Sequence, residues 1–576
     1  AASALGTLAA GWPQQVTTHG GLDLNPALSP AGDALAFASD RSGGFEIYVR
    51  PLTDGGTDVA LTTDGAQSLH PAWSPDGTRI AFHSAAKGGI WVVPARGGVP
   101  RQLARAGSRP AWSPDGRWIA FQTDEHADIT PSAFAAQAGS TLAMVDAEGR
   151  ETRALTRRGT PMGGHAAPAW SPDGRFIGFA VFEGGPDDGA WILETASGEV
   201  SRLVDGHKLY ELAFAPDGSA IYAAGGGEAL VYRVPFDPTR GRATGPAEAL
   251  GVAGVPGVRD LSVSPDGSRL VFAGLALNSQ IWAQPLTHEG GPDGPGRALT
   301  DDTSRRNSMP VISPDGARVA YVSSRRGEPP NIWMMRPDGS EKRQLTSDLS
   351  AEGKPTWFPD SRRLAYFSSR RDAMAFWAID VETRRDEVLI DLTSRGREMV
   401  SLGYPREIEF APSVTRLALA VIAPPLGTRR LYVTPLEPFA PRGASDPAEW
   451  VGYPAWSPDE RRLAVEIKDG TSTHAGVIDL ATGALRRLTD EPGQTWVRSW
   501  SPDGTRIAVA MLRAGRWSLQ WIDVATLRRG VMLPDGPANV YVRYPDWSRR
   551  GDLVVYERGE LRGNVWTLPL RPRGGT

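Results

Sequence analysis

Histidine is the side chain on which metal or acid–base chemistry would have to rest here, because the 576 residues include no cysteine. That absence excludes disulfides, thiolate metal sites and a cysteine nucleophile. The histidines are His19, His70, His83, His126, His165, His207, His288 and His474. No two stand in the H-x-x-x-H spacing that puts a pair of ligands on one helix face. His70, His165 and His207, with Asp124, Glu125 and His126, could converge only if successive repeats each contributed one side chain. Such a set would support a metal-assisted hydrolase or lyase. The plainer expectation for loop histidines is simple exposure. No G-x-S-x-G elbow is present. Gly225-Gly226-Gly227 has no helix after it to hold a phosphate. Asp187-Asp188 and Asp301-Asp302 lack the alternating acidic ligands of a calcium loop. The sequence therefore assigns no catalytic residue, metal or cofactor.

The elements that would position any site come from one repeated stretch. Pro71 to Phe82 reads P-A-W-S-P-D-G-T-R-I-A-F. Pro75 presets φ for the second position of a type I turn, Asp76 suits the next, and Gly77 can take the left-handed conformation that closes a bulged hairpin. Ile80-Ala81-Phe82 then alternates large and small, as a buried strand does. Copies are marked by Pro30, Pro75, Pro114, Pro172, Pro216, Pro265, Pro314, Pro359, Pro412, Pro458 and Pro502, with a degenerate twelfth at Asp546-Trp547-Ser548. Most intervals are about 44 to 49 residues, the period of a four-stranded propeller blade. The expected fold is all-β, twelve four-stranded blades with very little helix; only the alanines of the insertion from Asp124 to Ser140 could form a short one.

Within each repeat the first strand precedes the S-P-D-G turn and the second follows it. Runs such as Asn331-Ile332-Trp333-Met334 supply a third strand, and R-x-L-T stretches such as Arg343 to Thr346 supply a fourth. Gln14 to Thr18 resembles a fourth strand with no blade before it. Asn564 to Leu568 resembles a third strand with none after it. Pairing the two closes a ring and removes exposed edges. Arg297 to Thr300, just past the Pro/Gly-rich stretch Thr287 to Gly296, leaves two partitions open. One is a pair of tandem six-bladed propellers, residues 8–290 and 291–570; the other is a single twelve-bladed ring. Acidic residues outnumber basic ones before Gly291 and the reverse holds after it, which leans toward two domains.

In a propeller the residues around each first strand face the channel or its loop-bearing rim. Here they include Asn25, His70, Arg109, His165, Glu211, Arg259, Arg306, Lys354, Arg406, Arg498 and Arg543, with the aromatic neighbours Tyr210, Tyr404, Tyr453, Trp496 and Tyr544. Basic residues dominate the second half of that series. A rim that binds an acidic peptide, glycan or protein surface would look like this, and so would a merely solvated rim. The tryptophans Trp73, Trp112, Trp170, Trp357, Trp456, Trp500 and Trp547 hold one repeat position and are expected to pack blade against blade. Net charge is −4, so no nucleic-acid footprint appears. No apolar run approaches the ~20 residues that span a membrane.

The P-x-W-S-P-D-G-x-x-I-A-F unit, followed by S-x-R-x-G-x-x-x-I-W, resembles the TolB-type propeller repeat over essentially the whole chain. The runs Ile90 to Pro114 and Leu277 to Leu286 look most like the sensor-like propeller regions of bacterial receptor Ser/Thr kinases and winged-helix regulators. The resemblance implies a non-enzymatic binding, sensor or scaffold module with a protein, peptide or glycan ligand. It also implies a periplasmic or extracellular location.

Overall fold

Ser74 shows why each repeat folds as a strand, tight turn and strand. Its hydroxyl donates to Asp76 Oδ1 at 2.6 Å and accepts the Arg79 amide at 2.9 Å, while Gly77 N–H closes onto the Ser74 carbonyl at φ +69°. The same serine–aspartate pair recurs at Ser113–Asp115, Ser171–Asp173, Ser264–Asp266, Ser313–Asp315, Ser457–Asp459 and Ser501–Asp503. The hydroxyl replaces strand hydrogen bonds that the turn cannot supply.

The computed structural model describes residues 12–570 except 54–55, 125–139, 183–186, 206–208, 226–229, 253, 256, 326–327, 371–374, 395–403, 424–427, 447–449 and 470–471. The expected short helix at Asp124 to Ser140 falls almost wholly outside the described residues. Among those described, the fold is all-β, built of antiparallel sheets, most of them four-stranded and in sequential order. It is a multi-blade propeller. Blade 2 is typical: Ser68–Trp73, Arg79–Ser84, Ile90–Pro94 and Arg101–Ala104, with Trp73 opposite Ile80 and Ala72 opposite Ala81.

The threonine of R-x-L-T, or of V-A-L-T at Val59 to Thr62, fixes the outer strand. Thr62, Thr156, Thr346 and Thr489 accept, through Oγ1, the amides of Ile47, Leu142, Ile332 and Ala475 in the third strand, at 2.9 to 3.0 Å. Thr300 accepts Ile281 N–H and Thr17 accepts Val565 N–H, each at 2.9 Å.

The chain divides into two compact units. The first comprises Ala1–Ala276 with Leu561–Thr576. It holds five sheets in chain order; in addition, Val258–Val263 pairs with the first half of Arg269–Pro285, and Gln14–Gln15 pairs with Trp566 and Thr567. The stretch Leu553–Pro569 lies next to Arg269–Pro285 in that order. The ring is closed by contact of Asp23–Leu28 with Val258–Val263, including Leu28 N–H to Ser262 Oγ at 3.2 Å.

The second unit comprises Leu277–Pro424 with Thr428–Glu560. It too has five sheets in chain order; in addition, Val540–Trp547 pairs with the first half of Leu553–Pro569, and Arg297–Ala298 pairs with Trp282 and Ala283. Arg305–Ile312 packs on Val540–Trp547 and closes the ring, with Ile312 N–H donating to Asp546 Oδ2 at 2.7 Å. Arg269–Pro285 and Leu553–Pro569 are each 17 residues long, and the division between the units falls within each of them.

The repeat tryptophans hold neighbouring blades together. The indole N–H of Trp73, Trp112, Trp170, Trp357, Trp456 and Trp500 donates to a first-strand carbonyl of the preceding blade: Ala27, Ala72, Ala111, Val311, Glu409 and Ala455, at 2.9 to 3.2 Å. Trp547 departs from the rule and donates to Gly551 in its own turn. Arg79, Arg416 and Arg462 cover the rings of Trp112, Trp456 and Trp500 at 4.7 to 4.9 Å.

Candidate functional site

One backbone feature, repeated in blade after blade, aims side chains into the channels. Three residues before the tryptophan position, the first strand bulges and a non-glycine residue takes positive φ. In the first unit these are Asn25, His70, Arg109, Ala167, Glu211 and Asp260, with φ from 50° to 58°. In the second they are Met309, Lys354, Tyr453 and Tyr544, with φ from 48° to 52°. The bulge sets two residues against one, as between Leu69 and Ala72 or between Ser308 and Val311, and so turns a side chain off the regular pleat. Each such conformation costs on the order of 1 kcal/mol.

In the first unit the channel groups bond to one another. Arg109 Nη1 donates to Glu211 Oε1 at 3.0 Å and lies 3.8 Å from Asp260. The Asp260 amide donates to Glu211 Oε2, the Asn25 amide to Asp260 Oδ2, and the His70 amide to Asn25 Oδ1. Arg259 is buried and sits 3.2 Å from Asp260. Burial and the neighbouring Asp260 push the Glu211 carboxyl above its ordinary range, against the pull of Arg109 and Arg259.

The second unit's channel instead holds a cavity of about 180 Å³. Its wall includes Lys354, Glu407, Glu409, Tyr453, Arg498, Tyr544 and Asp546, between Met309, Val497 and a ring of four prolines, Pro310, Pro355, Pro454 and Pro545. The Arg498 guanidinium lies 4.8 Å from the centres of both Tyr453 and Tyr544. Glu407 Oε1 accepts from Arg429 Nη1 at 2.7 Å, and Arg429 covers Trp450 at 4.6 Å.

The acids here are held unusually basic. Burial pushes Glu409 up to about 7 against the pull of Lys354 and Arg498. Burial raises Asp546 to about 7, with Glu409 adding to it and the Ile312 amide and Arg549 opposing. Glu466 is raised by burial to about 8, against Arg498 and with Glu407 adding. A carboxyl whose folded value is raised contributes stability that is fully present below its unfolded value, near 4.5, and lost as pH rises through about 8. Denaturant melts should therefore show lower stability at pH 9 than at pH 5. Glu466→Gln should remove its share of that loss, about 2 kcal/mol after structural relaxation. An unchanged pH slope in the variant would refute the buried-acid account.

The sequence-derived candidates scatter. Lys354 and Arg498 line the cavity together. His70 and Arg109 occupy the equivalent rung of the first unit. His165 is fully buried and spent: its Nδ1 bonds Thr156 Oγ1 at 2.7 Å and its Nε2 bonds the Pro161 carbonyl at 2.9 Å. Trp496 stacks on Trp517 at 4.5 Å, and Arg543 lies over both rings. Arg306 is exposed and 4.0 Å from Glu557. Tyr404 and Arg406 belong to the strand Tyr404–Phe410, but their side chains fall outside the described part. His207, Glu125 and His126 lie outside the described residues. Among those described, no group of three or more His, Asp or Glu is placed to hold a metal ion.

Sequence reading missed Asp260, Met309, Glu407, Glu409, Glu466 and Asp546. The register was available in the X-Pro pairs ahead of the tryptophan position: Asn25-Pro26, His70-Pro71, Arg109-Pro110, Lys354-Pro355, Tyr453-Pro454 and Tyr544-Pro545. Glu409 and Asp546 were marked as well, standing just before the aromatic where other blades have Ala72, Ala111, Val311, Thr356 or Ala455.

Residues 3–159 match the family model of the TolB beta propeller domain. The Tol-Pal system protein TolB of Anaeromyxobacter dehalogenans (strain 2CP-C) is 35% identical over 95 residues, 16% of this chain and 20% of that protein. The uncharacterized peptidase YuxL of Bacillus subtilis (strain 168) is 28% identical over 113 residues, 18% of this chain and 16% of that one. The chain thus spans about a fifth of the length of the curated relatives it matches. Among solved structures, TolB from Acinetobacter baumannii is similar at 17% identity and a TM-score of 0.32, covering 60% of this chain and 81% of that one. The tricorn protease is similar at 14% and 0.33, covering 92% and 59%. TolB-type propeller repeats are thereby supported in residues 3–159, and the same four-stranded blade pattern continues through the rest of the described chain.

Proposed function

We propose that the chain is a non-enzymatic binding or scaffold module that takes its partner, a protein, peptide or glycan, at the mouth of the second unit's channel. The observation that carries this reading is the convergence of Lys354, Arg498, Tyr453, Tyr544, Glu409 and Asp546 on one cavity with apolar proline walls, the composition of a recognition site. His165, on which a metal-assisted reaction would lean, has both ring nitrogens engaged. The reading places the protein in the periplasm or outside the cell. Where such blades form the sensor region of a larger receptor, this mouth is the input. The rim candidates Arg306, Arg406, Trp496 and Arg543 would extend the contact surface in the same unit, and His70, Arg109 and Arg259 would shape the first unit's channel.

The test is capture of a partner from extracts of the source cells by the immobilised chain, with Lys354→Glu and Tyr544→Ala compared against wild type at matched melting temperatures. Each should weaken capture about tenfold or more, as loss of a central charged or aromatic contact does. Capture unchanged in both variants would refute this site.

A further inference from the structure

Arg498 stands apart from the other charged groups around it. Among the described residues its contacts are the faces of Tyr453 and Tyr544 and longer-range attraction to Glu409 and Glu466; no hydrogen bond or ion pair engages it. A guanidinium carries five N–H donors in a rigid fork. Two tyrosine rings hold this one in place at the cavity wall, so little side-chain freedom remains to be lost when a ligand binds.

We propose that the second unit's channel is a carboxylate-binding site, in which Arg498 receives the carboxylate, Lys354 adds a second positive charge, and the proline ring packs the ligand's apolar body. This rests on the reading of that channel as a binding site and names the chemistry it selects.

Charge makes binding depend on pH. Lys354, Glu407, Glu409, Tyr453, Arg498, Tyr544 and Asp546 line the cavity, while Glu466 couples to Arg498, Glu407, Arg429 and Arg543, and Arg549 acts on Asp546. Glu407 is neutralised by Arg429 at 2.7 Å. Glu409 and Asp546 are largely protonated below neutrality. They then offer O–H donors and no longer offset the charge of Arg498. A carboxylate matches the fork's geometry. Above neutrality Glu409 and Asp546 ionise and repel the ligand, so affinity must fall as pH rises. The carboxylate can belong to a free small acid or to a peptide's C-terminus.

Isothermal titration of the full chain with 4-methylpentanoate, with the tripeptide Ala-Ala-Leu and with its C-terminal amide separates these sources. At about pH 6 at least one of the two acids should bind, and the amide at least about tenfold more weakly than the free tripeptide where the tripeptide is the ligand. Arg498→Gln should weaken the acid about 10- to 100-fold, and raising the pH to about 8.5 should weaken it about tenfold or more. Binding by 4-methylpentanoate alone assigns the site to small acids; tighter binding by the tripeptide assigns it to a chain terminus. Failure of both acids to bind, or equal binding of acid and amide, overturns the proposal without recourse to any variant. If neither acid binds but Lys354→Glu still abolishes partner capture, the binding-module reading stands and the carboxylate assignment falls. If acids bind and capture is unchanged, the reverse holds.

Discussion

Trp500→Ala should destabilise the second unit by about 3–5 kcal/mol. Trp500 is buried, its indole donates to the Ala455 carbonyl at 2.9 Å, and Arg462 covers its ring at 4.8 Å. It belongs to a cluster with Ala464 and Val477 of one blade and Val497, Ile507 and Val509 of the next. Truncation leaves a cavity at the blade junction and strips the Ala455 carbonyl of its partner. Trp500→Phe keeps most of the volume and loses the hydrogen bond, so it should cost only about 1–2 kcal/mol. The full chain has two compact units, so its unfolding need not be a single transition. The loss should appear in one urea transition, and Trp170→Ala, whose indole bonds Ala111 in the first unit, should shift the other. A cost near 1 kcal/mol for Trp500→Ala would mean that the repeat tryptophans do not hold the blades together.

Those tryptophans, the serine–aspartate turns and the R-x-L-T threonines were legible because each performs a local task with a fixed residue type. Ser74, Pro75, Asp76 and Gly77 specify a turn wherever they occur. Thr62 or Thr489 caps the strand beside it through one hydroxyl. The pairing of Gln14–Gln15 with Trp566 and Thr567 was legible as well, because an unpaired fourth strand at one end and an unpaired third at the other answer a single need.

What stayed hidden was which blade each long strand serves. Most blades break between second and third strands at turn residues such as Asp40 to Gly44. Between Phe272 and Trp282 no such turn exists, and the strand runs on from Arg269 to Pro285; the same holds from Leu553 to Pro569. The missing hairpin was visible in sequence, but its consequence depends on tertiary pairing. Gly274 carries that pairing locally: a Cβ there would meet Val255 at 2.5 Å and Trp566 at 2.8 Å.

The site was harder to read than the fold. Basic residues near the first strands suggested an acid-binding rim. The bulge shifts the channel-facing rung by a residue or two, and along a strand that changes which side chain faces inward. Arg259 therefore sits buried against Asp260, and His165 is spent on Thr156 and Pro161. The acids Glu407, Glu409 and Asp546 enter the cavity wall beside Lys354 and Arg498.

Arg429→Ala should cost about 3–5 kcal/mol, as large an effect as any tryptophan. Arg429 is 1% exposed and donates to Glu407 Oε1 at 2.7 Å, with Trp450 and Tyr453 against its guanidinium at 4.6 and 5.1 Å. Gly452 makes room for it: a Cβ there would lie 2.9 Å from Arg429 Nη1. Truncation leaves Glu407, itself buried, as an unpaired carboxylate that opposes ionisation of Glu466. Much of the loss is then the penalty of a stranded charge rather than the worth of the pair. The double variant Arg429→Met with Glu407→Leu tests this directly. With both charges gone and the volume largely kept, it should recover most of the stability lost by Arg429→Ala. It should also ease ionisation of Glu466 only slightly, since one opposing and one favouring charge leave together. Urea melts of wild type, both single variants and the double form the cycle. If the double is as unstable as Arg429→Ala, packing of the guanidinium against Trp450 and Tyr453, and not the Glu407 charge, carries the cost.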